Sequence, residues 1–379
     1  SSCWAITDMA RSLRWDPCIS HRGDEAGDFI KAYFTDASRR VLFVAGAGFD
    51  PRSAVVARAL AESCKDLRAF LVKENRPDAE RDLVERAEVN RLALEGLFEQ
   101  CEVVDVDIFG SDGAVVGGRN IVATLNRQDF SDRTDVVIDM SALSVGTSFP
   151  MVKYLFERAN QGRTPVNLHV FVAHDARLDD AIVPIAGDVP GYVHGFRGPA
   201  TLGSTVRAAR LWLPQLARER RGALLRLHSF VDPHDTCPIL PFPASNPRHG
   251  DELVADFIAE FENAWSVDTR NVVYGAEDDP LDLYRTILRL DDLRRPVFQE
   301  FGGSLLVLSP VGSKIMALGA LLAALERDLP VAHLESIGYT FVSAVNVEPP
   351  APFLMHIWLE GDVYPQPRPP LNSTWKPAA

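Results

Sequence analysis

The 379-residue chain is 46% hydrophobic and 24% charged, the composition of a globular protein with apolar side chains enough for a sizeable core. That excludes disordered, collagen-like and coiled-coil classes. Lysine and arginine total 39 against 52 aspartates and glutamates, a net charge of −13, so bulk nucleic acid and anionic membrane are disfavoured as partners, although a local basic pocket remains open.

In chain order, short apolar runs alternate with helical spacing. Residues 1–14 show no basic stretch followed by an apolar one, so no signal peptide is expected. Residues 41–45 (VLFVA) read as a buried strand, and 53–73 and 78–100 have helical spacing. Residues 101–109 (CEVVDVDIF) and 135–139 (DVVID) read as strands. The second of these leads through 141–147 into a helical run at 149–160, and 166–173 (VNLHVFVA) is the next strand. Continuous Val/Ile/Leu runs joined by helices imply a parallel sheet covered on both faces.

From 174 to 247 the pattern turns to Pro, Gly and mixed short runs. A helix at 250–265 opens a second α/β segment: strand 271–274, helix 281–290, strand 305–308, helix 313–327 and strand 330–334. Residues 340–364 read as antiparallel strands interrupted by prolines. The apolar stretch 304–325 is long enough to raise the question of a membrane span, but Pro310, Gly312 and Lys314 in its middle favour strand, tight loop and helix. The expected fold class is therefore α/β: two Rossmann-like parallel-sheet lobes in tandem with an irregular β-containing connection. The expected boundaries are an N-terminal lobe at 1–175, a connecting region at 176–248, a C-terminal lobe at 249–365 and a tail at 366–379. A G-A-x-x-D-P turn occurs twice between strand and helix, at Gly46–Pro51 and Gly275–Pro280. Either duplication of a lobe or chance similarity of two such loops accounts for it.

Cys3, Cys18, Cys64, Cys101 and Cys237 show no C-x-x-C spacing, which points to a reducing, cytoplasmic setting without disulfides or a zinc site. The nine histidines show no metal spacing. His169 on its apolar strand reads as a satisfied core histidine. Cys237 with His234 could form a nucleophile pair, but an incidental cysteine in a Pro-rich loop fits as well. Arg218 to Arg221 (RERR) reads as a solvated face.

Three loops carry candidate ligand chemistry. In VLFVAGAGFDPRS, Gly46 and Gly48 let the backbone turn tightly and approach a ligand. Asp50 before Pro51 is a helix cap, and Arg52 adds a fork of donors for an anion. A third glycine is missing for the dinucleotide fingerprint. In the loop after 135–139, Asp139 stands at a strand end where ligands gather, and Ser141 begins a run of hydroxyls that can bind phosphate or cap the next helix. In LSPVGSK, Ser309, Gly312, Ser313 and Lys314 surround a helix N-terminus; lysine is scarce, only six of the 39 cations, and this one interrupts an apolar run. The Walker A order is absent, because Ser313 separates the Gly from the Lys. Capping and a lysine reaching solvent are the plainer readings of the same residues.

SPVGSKIMALGALL (309–322) resembles the strand-loop-helix of CARF-type Rossmann sensor domains, with Gly312, Ser313 and Lys314 carrying the resemblance. It implies a pocket for a nucleotide-type ligand, pairing of two such folds, and a sensor or regulatory role in prokaryotic antiviral defence. Gly46-Ala47-Gly48 is similar to the start of sirtuin-type NAD-consuming domains, which implies an NAD or nucleotide hydrolase instead. A partner-dependent scaffold without ligand is the third reading. The expected partners are a nucleotide-type small molecule and a protein partner or second copy; no metal, no membrane and no catalytic residue is assigned.

Overall fold

The computed structural model describes residues 13–198, 208–268, 270–341 and 352–366, with Arg368 and Leu371. Cys3, most of the 1–14 segment and most of the 366–379 tail lie outside the described residues, as does the proline-interrupted stretch 342–351. The chain begins with β1 (Ser20–Arg22), α1 (Asp24–Tyr33), β2 (Arg40–Gly46), α2 (Ser53–Ser63), β3 (Asp66–Asn75), α3 (Arg81–Glu95), β4 (Gln100–Asp107), α4 (Gly117–Leu125), β5 (Asp135–Asp139), α5 (Val145–Asn160) and β6 (Asn167–His174). It continues with α6 (Ala176–Ala181), β7 (Ile182–Ala186), β8 (Gly191–Tyr192), β9 (Ala209–Pro214), α7 (Arg221–Val231), β10 (Asp235–Thr236), β11 (Ile239–Pro241), α8 (His249–Asp256) and β12 (Val273–Gly275). Last come α9 (Pro280–Phe298), β13 (Ser304–Ser309), α10 (Lys314–Arg327), β14 (Ala332–His333), β15 (Ser336–Phe341) and β16 (Phe353–Glu360).

The protein is α/β with a large, mainly parallel central sheet of seven strands in the order β1-β16-β6-β5-β2-β3-β4. Strands β2 to β6 run parallel; at one side β16 is added antiparallel to β6, and β1 antiparallel to β16. A smaller parallel sheet is built on β9, which lies between β10 and β13. Single bridges extend it to β11, itself parallel to β12, and to Val331. The antiparallel ribbon of β7 and β15 carries the chain's two passages between the sheets.

Four element assignments differ from the sequence reading. The helical spacing at 53–73 ends at Ser63, and β3 follows, because Ala69, Phe70, Leu71 and Val72 are buried between β2 and β4. The stretch 174–247, read as irregular, contains the central strand of the second sheet, β9, and the amphipathic helix α7. β16, read as part of the C-terminal lobe, pairs with β6 and closes the first sheet, since its eight residues are nearly all buried there. The helix expected over 250–265 is α8 followed by a π-turn at Glu260–Ala264.

The two sheets share a core. Every residue of α10 from Ile315 to Arg327 is buried, as expected of a helix apolar on all sides. Its Leu318, Leu321 and Leu322 belong to one apolar cluster with Val44 and Ile138 of the first sheet and Leu211 and Leu306 of the second. Ser313 caps this helix, its Oγ accepting from Met316 N at 3.3 Å. Its burial is protein burial: among the described residues no helix is long and apolar enough to cross a membrane.

Candidate functional site

In a parallel sheet the loops after the strands' carboxyl ends are where ligands gather. Here those ends of both sheets open on one cleft of about 800 Å³. The turn after β2 supplies Gly48, Asp50 and Arg52; the turn after β5 supplies Ser141 and Ser144; the turn after β13 supplies Gly312, Ser313 and Lys314. The second G-A-x-x-D-P turn, between β12 and α9, places Glu277 on the same wall. Three of the ten candidate residues do not line it. Gly46 sits behind the wall, where a Cβ would stand 2.8 Å from the Ala142 carbonyl oxygen, so glycine is required for the two turns to approach. Ser309 ties strands together, accepting from Trp212 Nε1 at 2.9 Å and donating to the Ala332 carbonyl at 2.9 Å. Asp139 lies beneath Ser141, accepting from that residue's amide at 2.9 Å and from its hydroxyl.

Asp139 is buried and its Oδ2 has no hydrogen-bond partner. Burial, reinforced by the charge of Asp50, pushes its carboxyl up to about 7. Ser141 Oγ in turn accepts from the Ala173 amide at 2.7 Å, so this hydroxyl is held in place rather than available to a ligand.

Arg52 departs from its expected role as a phosphate fork. Its Nη2 and Nε meet Asp50 at 2.7 and 3.0 Å, and its Nη1 meets Asp179 of α6 at 2.6 Å. The guanidinium is 4% exposed and its donors are spent on two carboxylates. The Arg52 charge holds Asp179 down to about 2 despite its burial. His174 at the end of β6 stands with its Nδ1 3.3 Å from Asp179 Oδ2.

A second such pair was hidden by the misread β3. Glu74, at its end, accepts from the Ser144 amide at 3.1 Å and hydroxyl at 2.8 Å, and from Arg76 Nη2 at 2.9 Å. Arg76 also pairs with Glu335 at 2.9 Å, binding the segment before β15 to the first sheet. Although burial works against its ionisation, Arg76 holds the Glu74 carboxyl below the usual range. Glu335 lies against Gly146 in the first turn of α5, where any Cβ would collide with the carboxylate.

Lys314 and Arg220 behave differently. Lys314 Nζ reaches across the cleft to the Leu143 carbonyl oxygen, and Arg220 Nη1 lies 3.4 Å from Ser336 Oγ. Neither has a carboxylate at ion-pair distance among the described residues. Burial lowers the ammonium of Lys314 and the guanidinium of Arg220 below their ordinary ranges. Arg220 belongs to the RERR run read as a solvated face; Arg218, exposed and paired with Asp256 at 2.6 Å, and Arg221, paired with Glu260, fit that reading better. Elsewhere on the cleft wall Glu277 accepts from the Ser245 amide at 2.8 Å and hydroxyl at 2.5 Å, and its Oε1 stands 3.7 Å from His249 Nδ1. His249 and Ser245 hold this carboxyl down to about 2.

Cys237 is buried in the core of the second sheet, where desolvation pushes its thiol up to about 11. That removes the thiolate a nucleophile needs, and His234 Nδ1 is occupied by the Arg210 amide at 3.1 Å.

No family model and no curated protein matches the chain. Among solved structures, the cytoplasmic domain of a prokaryotic cation chloride cotransporter is similar at 9% identity over 79% of this chain and 96% of that one, with a TM-score of 0.25. A universal stress protein from Archaeoglobus fulgidus DSM 4304 is similar at 9% identity over 79% and 97%, with a TM-score of 0.23. The precorrin-6y C5,15-methyltransferase from Geobacter metallireducens GS-15 is similar at 12% identity over 44% and 77%, with a TM-score of 0.24.

Proposed function

We propose that this protein is a sensor or regulatory protein whose cleft between the two sheets binds a nucleotide-type ligand. The observation that carries the reading is the convergence of the turns after β2, β5 and β13 on one cleft, with Lys314 on its wall and, among the described residues, no carboxylate paired to it. A cation left without a counter-ion in a half-buried cleft favours an anion there. The helix start capped by Ser313 adds the positive end of a dipole beside it. The reading agrees with the CARF-like class that 309–322 resembles, and with it a place in prokaryotic defence. The hydrolase alternative finds less support, because Asp50 and Arg52 are locked in a bidentate pair and Asp50 is not poised as a base or nucleophile.

The test is thermal shift of the purified chain against NAD, ATP and cyclic di-, tri- and tetranucleotides, with chromatography to follow ligand integrity. A ligand at about 100 times its dissociation constant stabilises the fold by ~2.7 kcal/mol. Stabilisation by an intact ligand, lost in Lys314→Ala, is the expected outcome. Ligand breakdown would establish the hydrolase, and silence across the panel would leave the scaffold.

A further inference from the structure

The charge layout of the cleft restricts what it can hold. Among the described residues its wall carries six lysines and arginines against eight aspartates and glutamates. Four of the six cations have carboxylate partners: Arg52 with Asp50 and Asp179 and Arg76 with Glu74 and Glu335, whose guanidinium groups are buried, and Lys73 with Asp105 and Arg218 with Asp256, which are solvent-exposed pairs. Drawing Arg52 or Arg76 toward a ligand would strand two carboxylates as unpaired charges in a largely buried setting, an outcome that protein interiors penalise heavily. Among the described residues of the wall, Lys314 and Arg220 are the two cations away from the exposed rim with no carboxylate at ion-pair distance. Both line the same cleft.

We infer that the cleft takes a phosphate-bearing ligand of one or two negative charges, seated by Lys314 and Arg220, and rejects polyphosphates. The inference rests on the nucleotide reading of the cleft and narrows it. A third or fourth charge on the ligand would find no further unpaired cation inside the cleft and would face the carboxylates of its wall.

The test uses the whole chain in isothermal titration calorimetry with NAD, AMP and ATP, taken in order of rising negative charge. NAD or AMP should bind at least about tenfold more tightly than ATP, and Lys314→Met and Arg220→Met should each weaken that binding by about tenfold. Asp179→Asn, which releases part of Arg52, should raise ATP affinity toward that of AMP. That is a gain, which a folding defect cannot imitate. Tighter binding of ATP than of AMP would overturn the charge ceiling while leaving the nucleotide cleft standing. Binding of NAD or AMP unaffected by either methionine variant would overturn the seat. Silence with all three probes would remove this inference and the reading beneath it together.

Discussion

The edge of the large sheet holds a chain of imidazoles whose titration should govern acid stability. β16 inserts His356 between His21 of β1 and His169 of β6: His21 Nδ1 lies 2.8 Å from His356 Nδ1, and His356 Nε2 lies 3.1 Å from His169 Nδ1. The relay ends on Asp135, whose Oδ1 is 3.2 Å from His169 Nε2 and accepts from the Tyr33 hydroxyl at 2.9 Å. His169, His356 and Asp135 are each fully buried, and His356 is stacked between Phe29 and Phe171 at 4.3 and 4.5 Å. Burial, followed by repulsion from His169 and His21, holds His356 well below the ordinary histidine value of 6.5. The unfolded chain therefore binds this proton more tightly than the folded one. Stability is complete above about pH 6.5 and declines as the pH falls below it. A ring that stays neutral while its unfolded counterpart titrates loses ~1.4 kcal/mol of stability between about pH 7.5 and 5.5. His356→Phe removes that proton and, by leaving His169 Nδ1 without its partner, costs ~1–3 kcal/mol at the higher pH. Urea unfolding at the two pH values should show the variant less stable at about pH 7.5 yet losing ~1.4 kcal/mol less on acidification. An equal loss in both proteins would refute the assignment of a neutral, proton-excluding His356.

Further outcomes follow from the shared core and the ion pairs. Leu318→Ala empties a fully buried position on α10 and should cost ~2–5 kcal/mol. Because that helix joins both sheets, indole fluorescence and far-ultraviolet dichroism should lose structure in one transition, and separate transitions would refute a common core. Arg52→Met removes the guanidinium that pairs with Asp50 and Asp179 and should cost ~3–5 kcal/mol. Adding Asp50→Asn should recover part of that loss in urea unfolding, whereas additive losses would show that the pair is not coupled. Asp179, held down to about 2 by Arg52, adds stability that is present above about pH 4 and lost toward pH 2. In Arg52→Met this acid dependence should shrink, as read by unfolding midpoints across that range.

The strand-loop-helix at β13 and α10 was legible almost residue by residue, because Pro310, Gly312 and the Ser313 cap act locally and the apolar run on either side permits only buried elements. The turn after β2 was legible in its place but not in its cap: α2 begins at Ser53 behind Arg52 without a side-chain cap, and Asp50 instead accepts from the Arg52 amide at 3.0 Å. What local signals could not carry was convergence: that turns some 260 residues apart face each other follows from α10 filling the space between the sheets, and nothing in its sequence states which faces it will cover. The missed site residues share a cause. Glu74 lies near the end of, and Arg76 follows, a β3 whose leading residues continue the helical spacing of α2, so the strand end that positions them was not visible as an end. Arg220 sits in a run of charges whose neighbours are solvated, and only the tertiary fold separates it from Arg218 and Arg221. Arg52 shows the opposite failure: its residue type and place suited an anion, but Asp50 two positions away and Asp179 from α6 claimed its donors first. Residue type in a loop therefore marked where the cleft would be, while the pairing of charges across elements decided which of its residues are left to bind.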